Sequence, residues 1–403
     1  FLSNLGFSLI LFVVLFLSAP AIASFFGQPQ LVPLTRVMGS VILINAFALI
    51  QRTLLVKRVD FKTQTKISFI AAIVSGAVGI VMALNGFGVW SLVGQQISRQ
   101  LMNSIFLWVW ARWYPSLKFS VQSFRELFGF GWKLLVSGLI DTLWREMNQV
   151  IIGKFYSAST LGQYTRAQQF TNIFSTNLTS VVQRVSYPVL SEISDEKERM
   201  KLVYQKIIKV TMLVTFCCML GLAAIAEPMV VTLIGEQWLP AVPLLQILCF
   251  QMMLYPLHAI NLNMLQVQGR SDLFLKLEII KKIIGTVPLL LGIFINIYWM
   301  LWGSVVTGFI SYYLNAFYSG RFLDYSIWQQ VRDILPSFTV ASVMAAAVYA
   351  LSFVEAVPLV LLASQVLAGV ALVVALCEIF RVEAYMEIKI IVMSYINKFR
   401  HGR

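Results

Sequence analysis

The chain has 403 residues, of which 59% are hydrophobic and only 12% charged, and its mean hydropathy is +0.79. A soluble domain carries about 25% charged residues, so this composition excludes a soluble globular protein and points to transmembrane helices. The net charge is +13, but the basic residues sit in short loops between apolar runs. That pattern is membrane topology and argues against a nucleic-acid partner.

A helix needs about 20 residues to cross the hydrocarbon core. In chain order the apolar runs predict twelve spans, at about residues 5–26, 31–50, 67–84, 87–110, 128–152, 160–183, 207–234, 241–265, 275–296, 298–319, 333–353 and 358–380. Connections as short as Asn85-Gly86 and Asn296-Ile297 require tight helical hairpins. The chain opens on Phe1, with neither a basic leader nor a small-residue cleavage site, and its true start is expected further upstream.

Lysine and arginine set the orientation. Basic loops carry Arg52, Lys57, Arg58, Lys62 and Lys66; Arg112, Lys118, Arg125 and Lys133; Lys197, Arg199, Lys201, Lys206 and Lys209; Arg270, Lys276, Lys281 and Lys282; and Arg321 and Arg332. The intervening loops, near Gly27, Gly86, Ser157, Glu236, Asn296 and Glu355, carry almost none beyond Lys154. The basic loops, Phe1 and the C-terminus are therefore expected in the cytoplasm. After the last span, Ile388, Ile391, Val392, Tyr395, Ile396 and Phe399 recur at helical spacing, with Lys389, Asn397, Lys398 and Arg400 off the stripe. This tail, residues 381–403, reads as an amphipathic helix lying on anionic lipid.

The sequence also suggests an internal repeat. Leu54-Leu55-Val56-Lys57-Arg58-Val59-Asp60 resembles Leu265-Gln266-Val267-Gln268-Gly269-Arg270-Ser271-Asp272, and each follows a span that opens near a proline, Pro33 or Pro243. Transporters are often built from such halves. An offset of about 211 residues would put the start of the first half about 80 residues before Phe1, with room for two further helices. The expected whole is two six-helix lobes plus two final spans. This chain would then hold the remainder of the first lobe (1–126), the second lobe (127–325), two extra spans (326–380) and the tail.

Charged groups inside a membrane cost at least about 2.5 kcal/mol each and normally face a bundle interior or a wet cavity. Four spans carry polar stripes: Gln95 or Gln96, Arg99 and Asn103; Asp141, Arg145 and Asn148, with Glu146 beside them; Thr165, Gln169, Asn172, Thr176, Thr179 and Gln183, flanked by Arg166; and Gln251, Tyr255, His258 and Asn261. One reading is a hydrated cavity between the lobes, where Arg99, Arg145 and Arg166 attract an anionic head group and the amides bond hydroxyls. Another is structural, with Asp141–Arg145 as an i,i+4 ion pair, the amides as interhelical glue and His258 as a packing residue instead of a proton-coupling one. Glu278 beside Lys281 and Lys282 reads as a salt bridge at the cytoplasmic end of its span.

Little in the sequence suggests an enzyme. It has no phosphate-cradling glycine loop, no HExxH and no GxSxG, and no extramembrane segment long enough to fold alone. Cys217, Cys218, Cys249 and Cys377 lie in apolar runs without CxxC spacing, so neither disulfide nor metal is expected, and no cofactor is implied.

Four stretches carry a family resemblance: Gly269–Lys282 (GRSDLFLKLEIIKK), Gly86–Leu92 (GFGVWSL), Ile152–Ser157 (IGKFYS) and Arg166–Phe170 (RAQQF). The chain resembles polysaccharide exporters of the Wzx flippase type, in the colanic and teichuronic acid exporter branch of the multidrug/oligosaccharide-lipid/polysaccharide exporter superfamily. The resemblance implies an all-α polytopic fold of two pseudo-symmetric lobes, the first incomplete here, plus two C-terminal helices. It implies a non-enzymatic transporter of the bacterial inner membrane that flips undecaprenyl-diphosphate-linked oligosaccharide to the periplasmic leaflet by alternating access. Partners would be that lipid-linked substrate, membrane lipid and other polysaccharide-assembly proteins. Coupling to H+ or Na+ is implied by the family alone, with Asp141 and Glu146 as the candidate acids. The candidate substrate-binding residues are Arg99, Arg145, Arg166, Gln169, Asn172, Gln95, Asn103, His258 and Asn261. Two alternatives stay open at this stage: a multidrug/cation antiporter on the same fold, which would favour acids in its cavity, and a membrane polymerase or ligase, which would need a large periplasmic loop.

Overall fold

The fold is that of a computed structural model, which describes residues 1–111, 113, 115, 121–354 and 356–400. Arg112, Lys118, Glu355 and Arg403 lie outside the described residues, as do the side chains of Lys133, Tyr395, Ile396, Asn397, Lys398, Phe399 and Arg400.

The described residues form α-helices and short turns, with no strand. In chain order the helices are α1 (Leu2–Phe26), α2 (Leu31–Lys57), α3 (Phe61–Leu84), α4 (Val89–Ala111), α5 (Val121–Phe155), α6 (Ala158–Glu192), α7 (Lys197–Ala224), α8 (Ala226–Ile234), α9 (Ala241–Met252), α10 (Tyr255–Val267), α11 (Ser271–Phe294), α12 (Ile297–Leu323), α13 (Ile327–Ala350), α14 (Pro358–Ile379) and α15 (Glu383–Arg400). Seven helical segments among the described residues are long and apolar enough to cross a membrane: α1, α2, α3, α7, α9–α10, α13 and α14. The other long helices, α4, α5, α6, α11 and α12, cover the remaining predicted spans and carry more polar side chains. This is a multi-pass α-helical membrane protein.

Each predicted span is helical, but the ends differ from the hydropathy cuts. The basic stretch expected as a loop over residues 51–66 is almost wholly helix, because α2 runs on to Lys57 and α3 begins at Phe61. Hydropathy falls where charges begin, whereas lysine, arginine and glutamine remain good helix formers. Asp60 accepts from the Thr63 backbone N–H at 3.0 Å, capping α3 and holding its carboxyl below the usual range. Similarly, α6 extends about nine residues past its predicted end. The span expected at 241–265 is broken before Tyr255-Pro256, where proline supplies no N–H to the preceding turn. Sharp starts carry side-chain caps: Ser157 on Thr160, Asn296 on Trp299, and Ser326 in a capping box with Gln329.

The chain divides into two compact units, Phe1–Leu143 and Trp144–Arg403. In the first, a small core of Ala48, Leu55, Ile67 and Leu107 ties α2, α3 and α4, while Leu9, Ile10 and Leu17 of α1 stay exposed. An outer face that is apolar without a protein partner is what lipid contact requires. The second unit has a larger core, with Tyr164, Tyr204, Phe216, Leu245, Met264 and Tyr325 fully or almost fully buried.

The repeat is visible in the helix limits. Adding 210 to the ends of α2 gives those of the α9–α10 pair, 241 and 267, and adding 210 to the ends of α3 gives those of α11, 271 and 294. The tight turn before α3 places Val59 at φ 56, and the matching turn before α11 places Gly269 at φ 68. Glycine adopts that left-handed conformation without a Cβ clash.

The tail begins with α15, held to α7 by Lys209–Glu383 at 2.6 Å and Lys206–Glu387 at 2.5 Å, and to α14 by Lys389–Glu378. Ile388 packs inward, while Ile391 and Val392 stay exposed.

Candidate functional site

Each unit contains a polar cavity. In the first, α4 clasps α2 through side chains that reach its backbone: Ser104 Oγ donates to the Ile44 carbonyl and Trp108 Nε1 to that of Phe47, both at 3.0 Å. The Asn4 amide of α1 donates to the Ala46 carbonyl, also at 3.0 Å, and Gln100 donates to Asn45 Oδ1. Away from water such bonds hold helices together where the hydrophobic effect does not. Beside this clasp lies a cavity of about 390 Å³ whose polar lining includes Asn45, Arg52, Gln64, Gln96, Arg99 and Asn103. Among the described residues its lining contains two guanidinium groups and no carboxylate. Arginine's planar fork can give two parallel hydrogen bonds to phosphate, and the amides match hydroxyls.

The cavity of the second unit, about 480 Å³, lies on the equivalent helices α9–α10, α11 and α12, together with α5 and α6. Its polar lining includes Asn148, Gln183, Gln251, His258, Lys281 and Lys282. Glu278 also lines it and pairs with Lys281. The salt bridge expected here is present. Lys281 is the eleventh residue of α11, about 15 Å along the helix at 1.5 Å per residue. Its side chain is only 15% exposed.

The sequence-predicted site residues divide between these cavities and places outside them. Arg99 and Asn103 meet in the first cavity, and His258 lies in the second. Gln95 lies outside the first cavity's lining, its methylenes about 3.1 Å from where a Cβ on Gly79 would stand, whereas its neighbour Gln96 faces in. Asn261 is fully buried, accepting from Tyr204 Oη at 2.9 Å and from Ser319 Oγ. Arg166 donates to Gln169 Oε1 at 3.0 Å and lies over the Trp238 ring, 5.3 Å from its centroid. That pair is in neither cavity, and neither is half-buried Asn172. Arg145 Nε approaches Glu146 at 3.8 Å, and Glu146 accepts from Gln149, which also donates to Gln168 of α6. Arg145 and Glu146 therefore belong to an α5–α6 network, while Asp141 is exposed on α5 within the first unit.

Arg52 is expected in one basic loop and Lys281 and Lys282 with the basic residues of another; these three, and Gln64, line the cavities. A signal was present: Glu278, Lys281, Lys282 and Gly285 follow i, i+3, i+4, i+7 spacing, and Asn45 and Arg52 are seven residues apart.

The fold and these cavities define a polytopic membrane protein with paired polar, cation-bearing chambers inside helical units. The profile of the polysaccharide biosynthesis protein family matches residues 1–243, and the chain belongs to that family. It is 28% identical over 272 residues to the teichuronic acid biosynthesis protein TuaB of Bacillus subtilis (strain 168), covering 67% of this chain and 56% of TuaB. It is 29% identical over 248 residues to the succinoglycan biosynthesis transport protein ExoT of Rhizobium meliloti (strain 1021), covering 62% of this chain and 50% of ExoT. It is 24% identical over 297 residues to the lipopolysaccharide biosynthesis protein WzxC of Escherichia coli (strain K12), covering 72% and 59%. The chain thus spans between 50% and 59% of the length of these relatives. Its fold is similar to that of the lipid II flippase MurJ in an inward closed conformation, with a TM-score of 0.74 at 13% identity, covering 94% of this chain and 82% of that one.

Proposed function

We propose that this protein carries lipid-linked oligosaccharide, as undecaprenyl-diphosphate-linked repeat units, from the cytoplasmic to the periplasmic leaflet of a bacterial inner membrane for surface polysaccharide assembly. The observation that supports this most is the first unit's cavity, where Arg52 and Arg99 stand among amides with no carboxylate among the described residues of the lining. A diphosphate needs cations and a glycan needs amide and hydroxyl partners, while the polyprenyl tail can stay in lipid. A cation-exporting site would instead concentrate acids. The names of TuaB, ExoT and WzxC, all polysaccharide biosynthesis proteins, and of the lipid flippase MurJ, point the same way.

In this reading the protein works by alternating access and is a transporter, not an enzyme. In the first unit Arg52 and Arg99, beside Asn103, are the candidates to receive the head group; in the second unit they are Lys281 and Lys282, beside His258. Arg166, Gln169 and Asn172 meet it only outside the two cavities. The basic turns and the C-terminal helix lie in the cytoplasm. Outward movement of negative charge is favoured by an inside-negative potential, by about 2.3 kcal/mol per charge per 100 mV. Coupling to H+ or Na+ through Asp141 and Glu146 is part of the same proposal.

The test is flipping of a fluorescent undecaprenyl-diphosphate oligosaccharide in proteoliposomes. Arg99→Gln and Lys281→Gln are each expected to slow flipping roughly 10- to 100-fold, the value of a charge-assisted hydrogen bond. Arg166→Ala should cost far less. Equal rates in wild type and both cavity variants would remove these residues from the site. Transport of small organic cations in place of the lipid would replace the reading with the antiporter.

A further inference from the structure

A third cavity, distinct from those two, lies where α7, α13, α14 and the start of α15 meet. Its volume is about 630 Å³. Its lining carries the cations Lys209, Arg332 and Arg381, and apart from Ser337, Thr339 and two acids the remainder is apolar, including Leu335, Val343 and Phe380. Asp333 and Glu383 also line it, but both are committed to Lys209, at 3.5 and 2.6 Å. Arg332 and Arg381 have no carboxylate partner among the described residues, and both are exposed.

Leu335 and Val343 follow Arg332 by three and eleven residues on α13, so they stand about 5 and 16 Å along the helix axis from the Arg332 backbone at 1.5 Å per residue. Leu335 is 53% exposed, Val343 49% and Phe380 68%, the exposure expected of side chains that meet acyl chains.

Arg381 occupies a left-handed backbone position, φ 47, at the corner between α14 and α15. The corner is closed by Val382 N–H donating to the Cys377 carbonyl at 3.0 Å, and Val382 and Ala384 on either side of Glu383 are buried. Glycine would take this conformation at lower cost than arginine. Val59 and Asp324 end their helices in the same conformation, so the backbone marks a helix end; what sets Arg381 apart is an exposed guanidinium without an acidic partner in the lining of a largely apolar cavity.

We propose that this cavity binds one anionic phospholipid from the cytoplasmic leaflet. Its phosphodiester bridges Arg332 and Arg381, and an acyl chain lies along Leu335, Val343 and Phe380. The lipid would pin α15 against the bundle beside the Lys206–Glu387 and Lys209–Glu383 pairs. The proposal does not depend on which cargo is transported.

The experiment is native mass spectrometry of the purified protein titrated with dioleoylphosphatidylglycerol, with dioleoylphosphatidylcholine and inorganic phosphate as comparators. Wild type should retain one phosphatidylglycerol saturably, and R332Q/R381Q should bind it roughly 30-fold more weakly, since each surface cation near anionic lipid is worth about one factor of five. Arg381→Gly separates ligand from backbone. It should keep or raise the unfolding temperature while weakening lipid binding roughly fivefold. Equal phosphatidylglycerol binding by the double variant would overturn the proposal. So would equal retention of phosphatidylcholine, displacement by inorganic phosphate at comparable concentration, or unchanged lipid binding by Arg381→Gly.

Discussion

Replacing Asn261 by alanine tests whether this residue holds the second unit together or handles cargo. Its side chain is fully buried on α10. Oδ1 accepts from Tyr204 Oη on α7 at 2.9 Å and from Ser319 Oγ on α12, and Nδ2 donates to the Leu257 carbonyl at 2.9 Å. In Asn261→Ala, Ser319 keeps a second acceptor, the Ala316 carbonyl at 3.4 Å. Tyr204 is fully buried and loses its 2.9 Å acceptor, with only the Ser319 hydroxyl left beside it. An orphaned buried hydroxyl costs about 1–3 kcal/mol, and a lost interhelical hydrogen bond in lipid about 0.6. The expected destabilisation is therefore roughly 2–4 kcal/mol. Tyr204→Phe alone removes the donor and leaves Asn261 bonded to Ser319, so it should cost only about 0.6–1.5 kcal/mol. In the double variant no hydroxyl is orphaned, and it should be no less stable than Asn261→Ala, with a coupling of about 1 kcal/mol. Equilibrium unfolding in mixed detergent–SDS micelles measures the cycle. Strict additivity would refute the reasoning. Normal stability with lost transport in Asn261→Ala would return the residue to the cargo path.

Three further outcomes concern two glycines and the turn before α11. A Cβ on Gly320 would stand 2.4 Å from the Tyr325 carbonyl oxygen, a backbone atom that cannot swing away. Gly320→Ala gains about 1 kcal/mol of helix propensity against an overpacking cost of up to about 3, so thermal unfolding should show a net loss of roughly 1–2 kcal/mol. Gly94→Ala, which meets only the Met82 side chain, should be tolerated. At the turn before α11, Arg270 donates to both oxygens of Asp272, at 2.9 and 2.7 Å, and holds the carboxyl down at about 2. Because the folded value is depressed, the stabilisation is fully present above the unfolded value of about 3.9 and is lost as pH falls through about 2. The difference in unfolding temperature between wild type and Asp272→Asn should hold from pH 7 to about 4 and shrink below it; a constant difference at acid pH would contradict the pairing.

The class of fold was legible in the sequence because lipid imposes a simple rule. Backbone groups in hydrocarbon must be satisfied within helices, so apolar runs of sufficient length declare themselves one by one. All of the predicted spans are helical, and the weak Leu-x-Val, Arg-x-Asp similarity marked a repeat now visible as matching limits of α2 with α9–α10 and α3 with α11. The site was legible only in part. Arg99, Asn103 and His258 each share a helical face with other polar residues in the sequence, and they line cavities. Arg52 escapes hydropathy because a span is ended at its first charges, although α2 continues through it; Lys281 and Lys282 lie inside the predicted 275–296 span, but their charge groups them with the basic loops that set the orientation.

By itself, then, the sequence determined that the chain is membrane-embedded, where its helices lie and which ends are basic. Those properties follow from local composition and spacing, while the family is known from the resemblance of particular stretches such as Gly269–Lys282. Only the tertiary structure decided that Asn261 is sealed by Tyr204 and Ser319, that Arg166 rests on Trp238, and that Arg332 and Arg381, 49 positions apart, border one cavity. Helical periodicity tells which residues share a face, but not what that face meets. The neighbour is supplied by another helix, and whether a polar face packs, pairs or stays open depends on what that helix carries.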